Sequence, residues 1–545
     1  MNEKKIPFVG LHAHSVAGSI FDAIGYPDEH MDFCYENGGE ALALTDHGNM
    51  NGFSHQFLHW QKMKAEGKEF KPIFGVEAYF LPSIDEWRDD YDRIKADKKL
   101  AKSLAKEGDT SGATVEDEEA SKKAIKSVVN RRRHLVLLAQ NQTGLSNLFK
   151  MISESYKEEN FYRYPRVDYK LLAKYSEGVI ASSACLGGPY AGNYWENRDD
   201  GPEAVREAMR ETTRRFVEVF GDRWYGELQW NNIAEQHELN QHIIEVCKEF
   251  GVTLISTADS HYPNREAWKD RELYKRLGWL GKGTPAWAED NTELPPGVEE
   301  IGYELYPKNG NEMWESYKQY SESGGFEYDD ELVMNSITET HNIAFNRIES
   351  FVPNTEVKLP DFVVPAGFTD AEALVNYALE GLRERDLHTN EEYTTRLQTE
   401  LSVIEDRGFC KYFLTMKAIA DKANEVQLTG PGRGSAAGSL VAYVLDITQV
   451  DPIRWGLLFE RFLRRDATDY PDIDFDVSEP MELKERLAKD WGENTVVPIS
   501  NWNTLQLRSL LKDIGKFYDI PFMEVNKVTS VMTREATPDA KRKHD

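Results

Sequence analysis

The stretch FVGLHAHSVAGSIFD, residues 8–22, joins a short apolar run to two histidines and then to an aspartate. Phe8–Leu11 is typical of a buried strand, and His12 and His14 follow it at positions i and i+2. Because side chains alternate along extended backbone, both imidazoles are expected to face the same way. Asp22 lies in the next loop. The segment therefore predicts a group of metal-binding side chains where a strand ends.

An apolar run followed by a histidine, carboxylate or thiol recurs through the first part of the chain. The predicted strands are 41–44, 72–76, 134–139, 178–181 and 252–256. The predicted helices between them include 31–37, 55–65 and 234–250. This alternation favours an α/β domain with mostly parallel strands. The polar groups beside these strands are Asp46, His47, Glu77, His134, Cys185, Asp259 and His261.

Imidazole, carboxylate and thiolate groups are the ligands that zinc, manganese and iron take in proteins. Any one of these histidines taken alone is more often structural or on the surface, but the series as a whole favours metal binding. The nine candidates other than Asp46 are too many for one tetrahedral ion, so they predict a cluster of two or three ions. Such a cluster lowers the pKa of a bridging water and clamps a phosphoryl group, which is the chemistry of phosphoester hydrolysis.

A family resemblance appears in several of these segments, which are similar to the PHP domain of DNA polymerase III alpha subunits. The segments include LHAHSVAGSIFD, ALALTDHGNMNGF, KPIFGVEAYF, HLVLLAQNQTGLSNL and STADSHY. The resemblance implies a PHP-type (β/α) barrel, a Zn²⁺ or Mn²⁺ cluster and 3′–5′ exonuclease proofreading. It also implies that Asp46 orients its neighbour, and it marks as metal ligands His12, His14, Asp22, His47, Glu77, His134, Cys185, Asp259 and His261.

A second group of chemical side chains lies further along, where the glycine-rich GPGRGSAAGS (430–439) precedes YPDIDFD (470–476). A glycine-rich loop alone is most often a plain turn, and Asp-x-Asp alone is most often a solvated loop or a calcium site. Asp472 and Asp474 are predicted to share one face of a strand, where two carboxylates are costly unless a cation neutralises them. Together the two segments favour a magnesium site for phosphoryl or nucleotidyl transfer.

The combined string GPGRGSAAGSLVAYVLDITQVDPIRWGLLFERFL and YPDIDFD resembles the palm signature of DNA polymerase III alpha subunits. The resemblance implies that Asp472 and Asp474 are catalytic Mg²⁺ ligands. Asp476 shares their face without an implied catalytic role. The residues implied to bind the triphosphate are Arg433, Gly434, Ser435 and Arg461.

The domain organisation predicted for the 545 residues has four parts. Residues 1–270 form the PHP domain, with a charged insertion at 84–133, and residues 271–355 connect it to the next domain. Residues 356–503 form an incomplete, nucleotidyltransferase-like α+β palm, and 504–545 begin a helical thumb. In the family a third catalytic aspartate and the fingers come later, so a C-terminal partner is expected to supply both.

Composition limits the class of protein. The formal net charge is −28, which argues against a protein that coats nucleic acid through charge alone but allows a local basic groove. No run of about 18 apolar residues predicts a membrane span, and the N-terminus has no signal-peptide pattern. Four cysteines without paired spacing favour the reducing cytoplasm.

The leading hypothesis is the N-terminal part of a replicative DNA polymerase. The expected substrates are a dNTP and a DNA primer–template, with the sliding clamp reached through the C-terminal partner. The isolated chain is expected to have weak polymerase activity or none. A split polymerase as in some phages, a truncation and an interrupted gene are equally compatible with the sequence. Two alternatives stay open: an autonomous PHP phosphoesterase or exonuclease, and a non-catalytic assembly module.

Overall fold

The computed structural model describes residues 5–106, 128, 131–279, 304–360, 364–493, 495–497, 499 and 506–532. The contacts divide the chain into two compact units, Met1–Asn354 with Leu505–Asp545, and Thr355–Thr504. In the described part of the chain, no helix has the length and apolar character that crossing a bilayer requires.

The helices and strands follow one another in chain order. Those before residue 355 are α1 (Pro27–Glu36), β1 (Ala41–Leu44), α2 (Phe53–Ala65), β2 (Lys71–Phe80), α3 (Ile84–Lys106), β3 (Arg133–Ala139), α4 (Gln142–Ser155), β4 (Phe161–Tyr162), β5 (Tyr164–Pro165), α5 (Tyr169–Tyr175), β6 (Val179–Ser182), α6 (Pro189–Asn197), α7 (Pro202–Phe220), β7 (Trp224–Gln229), α8 (Ala234–Phe250), β8 (Thr253–Thr257), α9 (Trp268–Trp279), α10 (Gly310–Gly324) and α11 (Asp330–Asn342). Those that follow are α12 (Asp370–Glu384), α13 (Glu391–Asp406), α14 (Cys410–Asn424), α15 (Leu440–Val444), α16 (Pro480–Trp491), α17 (Leu507–Phe517) and α18 (Phe522–Val531).

The first unit is built on a six-stranded sheet in the order β1-β2-β3-β6-β7-β8. Neighbouring strands are parallel except that β3 runs antiparallel to both β2 and β6. The N-terminal segment joins the two edges of this sheet, because Gly10 bridges to Leu42 and Ala13 bridges to Ser260. The sheet is therefore closed in the manner of a barrel, which confirms the predicted α/β fold class.

Both faces of the sheet are buried. Val136 and Leu138 of β3 pack with Val9, Ile73 and Ile255 in the cluster inside the curved sheet. Leu135 and Leu137 of the same strand face the opposite way, into the larger core beneath the helices. A strand covered on both faces has a continuous apolar sequence instead of an alternating one. This explains the run HLVLLA.

The residues between the predicted PHP domain and the predicted palm are largely helical where the structure describes them. Met313 and Tyr317 of α10 and Val333 and Ile337 of α11 are buried in the same core as the sheet-covering helices. The compact first unit consequently extends to Asn354.

The charged stretch that was predicted as an insertion at 84–133 begins with α3. Ile84 and Trp87 in its first turns are buried with Leu81 and Val128, so the start of this helix packs on the domain. Residues 107–127, 129 and 130 lie outside the described residues.

Some element boundaries differ from the sequence predictions. The helix predicted at 31–37 begins at Pro27 and ends at Glu36. Proline suits the first helical position because its φ is already fixed and its missing N–H would have no partner there. Strand β2 continues to Phe80, so Glu77 lies within this strand and not at its end.

In the residues that the structure describes, the second unit consists of helices and turns and contains no β-strand. The strand predicted at 470–476 is wrong. That segment is extended, but the bridge beside it joins Thr429 to Val477, one residue beyond its end. A strand needs a partner along its length, and the described part of this unit offers a single bridge.

A tight contact between α4 and the start of β6 offers a test of the fold. A Cβ atom on Gly144 would overlap the carbonyl oxygen of Gly178. We expect Gly144→Ala to lower the free energy of unfolding by about 1–3 kcal/mol, because backbone would have to move. The exposed Lys150→Ala on the same helix should change it by less than about 0.5 kcal/mol. Denaturant unfolding measures both, and equal stability of the two variants would contradict the packing described.

Candidate functional site

Seven of the nine predicted metal ligands form three overlapping groups in the first unit. Within each group the donor atoms lie within 4.8 Å of one another. Glu77 is shared by two groups, and its Oε2 lies 3.0 Å from His12 Nε2 and 3.0 Å from His14 Nε2. The groups are His14, His47 and His261; His12, His14, Glu77 and Asp259; and His47, Glu77 and His134.

The remaining two candidates lie at the edge of this cluster. Asp22 Oδ2 is 3.0 Å from His47 Nε2 and 3.5 Å from His261 Nε2. Cys185 Sγ is 3.6 Å from His134 Nδ1. The structure thus brings all nine side chains together, and we call this assembly the metal centre. Their roles as ligands stay a prediction.

The backbone positions these side chains through the closure of the sheet. His14 N donates to Ser260 O at 2.7 Å, and Ser260 N donates to His12 O at 3.1 Å. These bonds fix the two histidines beside Asp259. Asp259 itself has φ of 50°, a left-handed conformation that is uncommon for a non-glycine residue and is concentrated at functional sites.

The charges within the metal centre are strongly coupled. Burial lowers the pKa of His47, but the charges of Glu77 and Asp22 outweigh burial and raise it to about 10. Burial likewise opposes ionisation of Glu77, while the charges of His134 and His47 hold its pKa well below the usual value. A cation bound among these groups would supply the positive charge that the imidazolium groups supply here.

The donor set fits a metal cluster. Among the described residues, four buried nitrogen and oxygen atoms of the metal centre have no hydrogen-bond partner. Buried polar atoms are normally satisfied, so a group of such atoms facing one another calls for a partner that binds all of them. The atoms are His14 Nε2, His47 Nδ1, Glu77 Oε1 and Asp259 Oδ1.

Asp46, predicted to orient its neighbour His47, holds the loop that follows His14. Its carboxylate accepts bonds from Ser15 N at 2.6 Å and from the Ser19 hydroxyl at 2.9 Å. Ser19 Oγ also accepts from His47 N at 3.1 Å and lies 3.3 Å from His14 Nδ1. Asp46 therefore acts on both histidines through Ser19.

Sequence reasoning missed Glu227, a fully buried carboxylate on β7. Its Oε1 lies 2.7 Å from His12 Nδ1, and its Oε2 accepts from the Ser182 hydroxyl at 2.6 Å. This contact directs the other ring nitrogen of His12 towards Glu77. A carboxylate behind a ligand histidine fixes the ring and makes it a better ligand. The signal in the sequence was a single acidic residue within the apolar run WYGELQW.

Arg271 on α9 was missed as well. Its Nε donates to Asp22 O at 2.6 Å and its Nη2 donates to Asp22 Oδ1 at 2.8 Å. The buried guanidinium thereby holds Asp22 against the centre.

In the second unit, the glycine turn and the Asp-x-Asp segment lie against each other. Gly430 N donates to Asp476 O at 2.9 Å, and Ser478 N donates to Leu428 O at 3.0 Å. Gly434 has φ of +66°, a conformation that favours glycine, and a Cβ atom there would lie 2.5 Å from Asp474 Oδ2.

The aspartates alternate with apolar residues along this segment. Asp472, Asp474 and Asp476 are exposed, whereas Ile473 and Phe475 between them pack on the core of the unit. The predicted sharing of one face thus holds although the segment is not a strand.

Arg433 and Ser435, two of the predicted phosphate-binding residues, lie within the glycine turn. Arg433 Nη1 is 3.2 Å from Asp476 Oδ1, and Ser435 is exposed in the 3₁₀ turn Gly434–Gly438. Arg461 is exposed at the end of the 3₁₀ turn Phe459–Arg461. The carbonyl oxygen of Leu458, just before that turn, lies against Gly438.

A buried carboxylate, Glu400, holds the far end of the glycine turn. It accepts bonds from the Ser439 hydroxyl at 2.9 Å and from Leu440 N and Val441 N at 3.0 Å each. Arg396 Nε donates to it at 2.6 Å. Burial raises the pKa of Glu400 despite these donors.

Two protein families match separate parts of this chain. Residues 10–231 match the PHP domain family, and residues 372–544 match the family described as the bacterial DNA polymerase III alpha NTPase domain. The DNA polymerase III subunit alpha of Aquifex aeolicus is 34% identical over 542 residues. Over 96% of its length, this chain is similar to DNA polymerase III alpha subunits.

Other DNA polymerase III alpha subunits show the same extent of similarity. The subunit from Borreliella burgdorferi is 32% identical over 526 residues, covering 96% of this chain and 40% of its own length. The Aquifex alignment likewise covers 96% of this chain and 41% of the relative. The chain thus spans about two fifths of the length of its curated relatives.

Similarity to solved structures is weaker. A structure described as a metal-dependent phosphoesterase from Bifidobacterium adolescentis is 12% identical, covers 48% of this chain and gives a TM-score of 0.24. Similarity at this level carries no argument about the chemistry of this chain.

The position of Glu227 yields a prediction about metal binding. We expect Glu227→Gln to weaken Mn²⁺ binding about 10- to 100-fold, because the amide supports His12 less well than a carboxylate does. Calorimetric titration of the metal-free protein measures the change. Glu245→Gln, an exposed glutamate that pairs with Arg206, is the control and should bind as the wild type does. Unchanged affinity in Glu227→Gln would contradict the role given to this carboxylate.

Proposed function

We propose that the chain is the N-terminal part of a replicative DNA polymerase and carries two of its catalytic carboxylates. The main support is the placement of Asp474 directly against Gly434, with Asp472 exposed on the same side of the segment. The match of residues 372–544 to the polymerase III alpha NTPase domain supports the same conclusion.

The residues of this site suit nucleotidyl transfer from a dNTP to a primer 3′-OH. Mg²⁺ bound there would activate the attacking hydroxyl and hold the triphosphate. Asp472 and Asp474 would hold the ion, and the small residues of the turn let phosphate oxygens approach backbone N–H groups. Arg433 and Arg461 would add positive charge beside the phosphates.

We further propose that a C-terminal portion supplies the fingers, the third aspartate and contact with the sliding clamp. The chain covers 41% of the Aquifex relative, so much of a relative's polymerase lies in sequence not matched here. Two exposed carboxylates without a third bind metal weakly, and we expect little primer extension by this chain alone.

A second proposed function is phosphodiester hydrolysis at the metal centre, acting as a 3′–5′ exonuclease. Its support is the convergence of nine candidate ligands in the first unit, including buried donor atoms that lack hydrogen bonds. Zn²⁺ or Mn²⁺ ions bound there would lower the pKa of a bridging water and clamp the scissile phosphate. The chain's own part is to hold those ions through Glu77, Asp259 and the histidines.

The carboxylates of the second unit can be tested by nucleotide binding. We expect Asp474→Asn to weaken Mg²⁺-dependent binding of a fluorescent dNTP at least about tenfold, a loss of about 1.4 kcal/mol, since it removes a metal ligand. The control is Asp466→Asn, at an exposed carboxylate of the same unit that pairs with Arg464, and it should bind within about twofold of the wild type. Equal effects of the two substitutions would contradict the assignment of Asp474.

Nuclease assays separate the second function from an assembly role. We expect the Mn²⁺-loaded chain to digest single-stranded DNA and His14→Ala to abolish digestion, because His14 contacts both Glu77 and Asp259. The control is His59→Ala, which removes a histidine paired with Asp32 outside the centre. A metal-loaded chain that digests nothing would favour the non-catalytic alternative.

A further inference from the structure

Aromatic side chains continue outward from the metal centre. The Tyr79 ring lies 5.6 Å from the His134 ring and 6.2 Å, nearly parallel, from the His47 ring. A Cβ atom on Gly48 would be 2.9 Å from the Tyr79 ring, so glycine there allows the ring to lie close. Tyr79 is two residues beyond Glu77 on β2 and therefore faces the same side of the sheet.

The guanidinium of Arg132 covers the ring of Tyr164, which lies beside Tyr79. The centre of the Arg132 guanidinium lies 3.8 Å from the Tyr164 ring centroid and 5.1 Å from that of Tyr79. Arg132 precedes His134 by two residues, so positive charge lies at the edge of the metal centre. This arrangement can bind a phosphate oxygen at the edge of the metal centre.

The hairpin that carries Tyr164 is held from beneath by Arg166. This arginine has no exposed surface, and its Nη1 donates to Tyr162 O at 3.0 Å and to Tyr164 O at 2.8 Å. Tyr162 lies directly opposite Tyr164 in the β4–β5 pairing. Directly opposite side chains share a face, so the hairpin is a supported platform that presents both rings.

Beyond the hairpin lies a surface groove of about 520 Å³. Tyr162 and Tyr91 line it with their ring centroids 4.8 Å apart. Lys95 lies over the Tyr91 ring at 5.6 Å, and Arg163 lies over the Tyr162 ring at 5.9 Å. A volume of this size accommodates a small-molecule-sized group such as a nucleotide.

We propose that these residues form a binding site for single-stranded DNA that leads to the metal centre. Tyr162 and Tyr91 stack on bases in the groove, and Arg132 binds the backbone phosphate where the strand reaches Tyr79. The proposal rests on the proposed hydrolytic function, since it names the substrate of that centre. We call this set of residues the aromatic path.

The chemistry favours an unpaired strand over a duplex. Stacking on protein rings requires a free base face, and alternating aromatic and cationic side chains are typical of sites for single strands. Asp92, Glu158 and Glu159 also line the groove and oppose phosphate there. Stacking should therefore contribute more to affinity than charge does, with a shallow dependence on salt.

Binding of a short fluorescein-labelled oligothymidylate to the whole chain tests the proposal. Fluorescence anisotropy is measured in EDTA, so that no hydrolysis occurs and failure of the nuclease function does not affect the result. We expect Tyr162→Ala to weaken binding about tenfold, the loss of one stacked base, and Tyr162→Phe to bind as the wild type does. Arg132→Ala should weaken binding and should also reduce its salt dependence.

The control is Phe345→Ala in the same unit. Phe345 is 40% exposed, against 37% for Tyr162, and has Lys71 over its ring at 5.5 Å. It should bind the oligonucleotide as the wild type does. Wild-type affinity in Tyr162→Ala, an equal loss in Phe345→Ala, or equally tight binding of the matching duplex would each overturn the proposal. Thermal unfolding confirms that each variant is folded.

Discussion

A carboxylate with no exposed surface, Glu77, lies among four imidazoles, and the first unit depends on keeping it there. An ionised carboxylate in such a position is costly unless cationic groups surround it. The sheet closure provides this arrangement, because the N-terminal segment joins both sheet edges and places His12 and His14 over β2. The site therefore depends on the fold, because opening the sheet would separate Glu77 from the groups that neutralise it.

Buried charged residues outside the ligand set maintain this geometry. Glu227 fixes the ring of His12, Arg271 holds Asp22, and Asp46 restrains the loop after His14 through Ser19. In the second unit Glu400 plays a comparable part by accepting bonds from the end of the glycine turn. Each such group is costly to bury alone, so each constrains the position of its partners.

The local features could be predicted from the sequence, and the long-range ones could not. Helix α8 has the predicted bounds because Gly251 ends it in a left-handed conformation. The nine candidate ligands were predictable from residue type and spacing, and the structure brings them together. Glu227 and Arg271 were not, because their partners are 215 and 249 residues away in the chain. The extended Asp-x-Asp segment was mistaken for a strand because alternation predicts side-chain faces but not hydrogen-bonded neighbours.

The central claim is that nine convergent side chains hold a cluster of metal ions. Anomalous diffraction from crystals grown with Mn²⁺ tests it most directly, because the signal locates each ion independently of activity. We expect two or three peaks among the nine side chains, one of them within coordinating distance of both Glu77 and Asp259. Peaks only elsewhere, or an intact cluster of side chains without any peak at saturating Mn²⁺, would contradict the account.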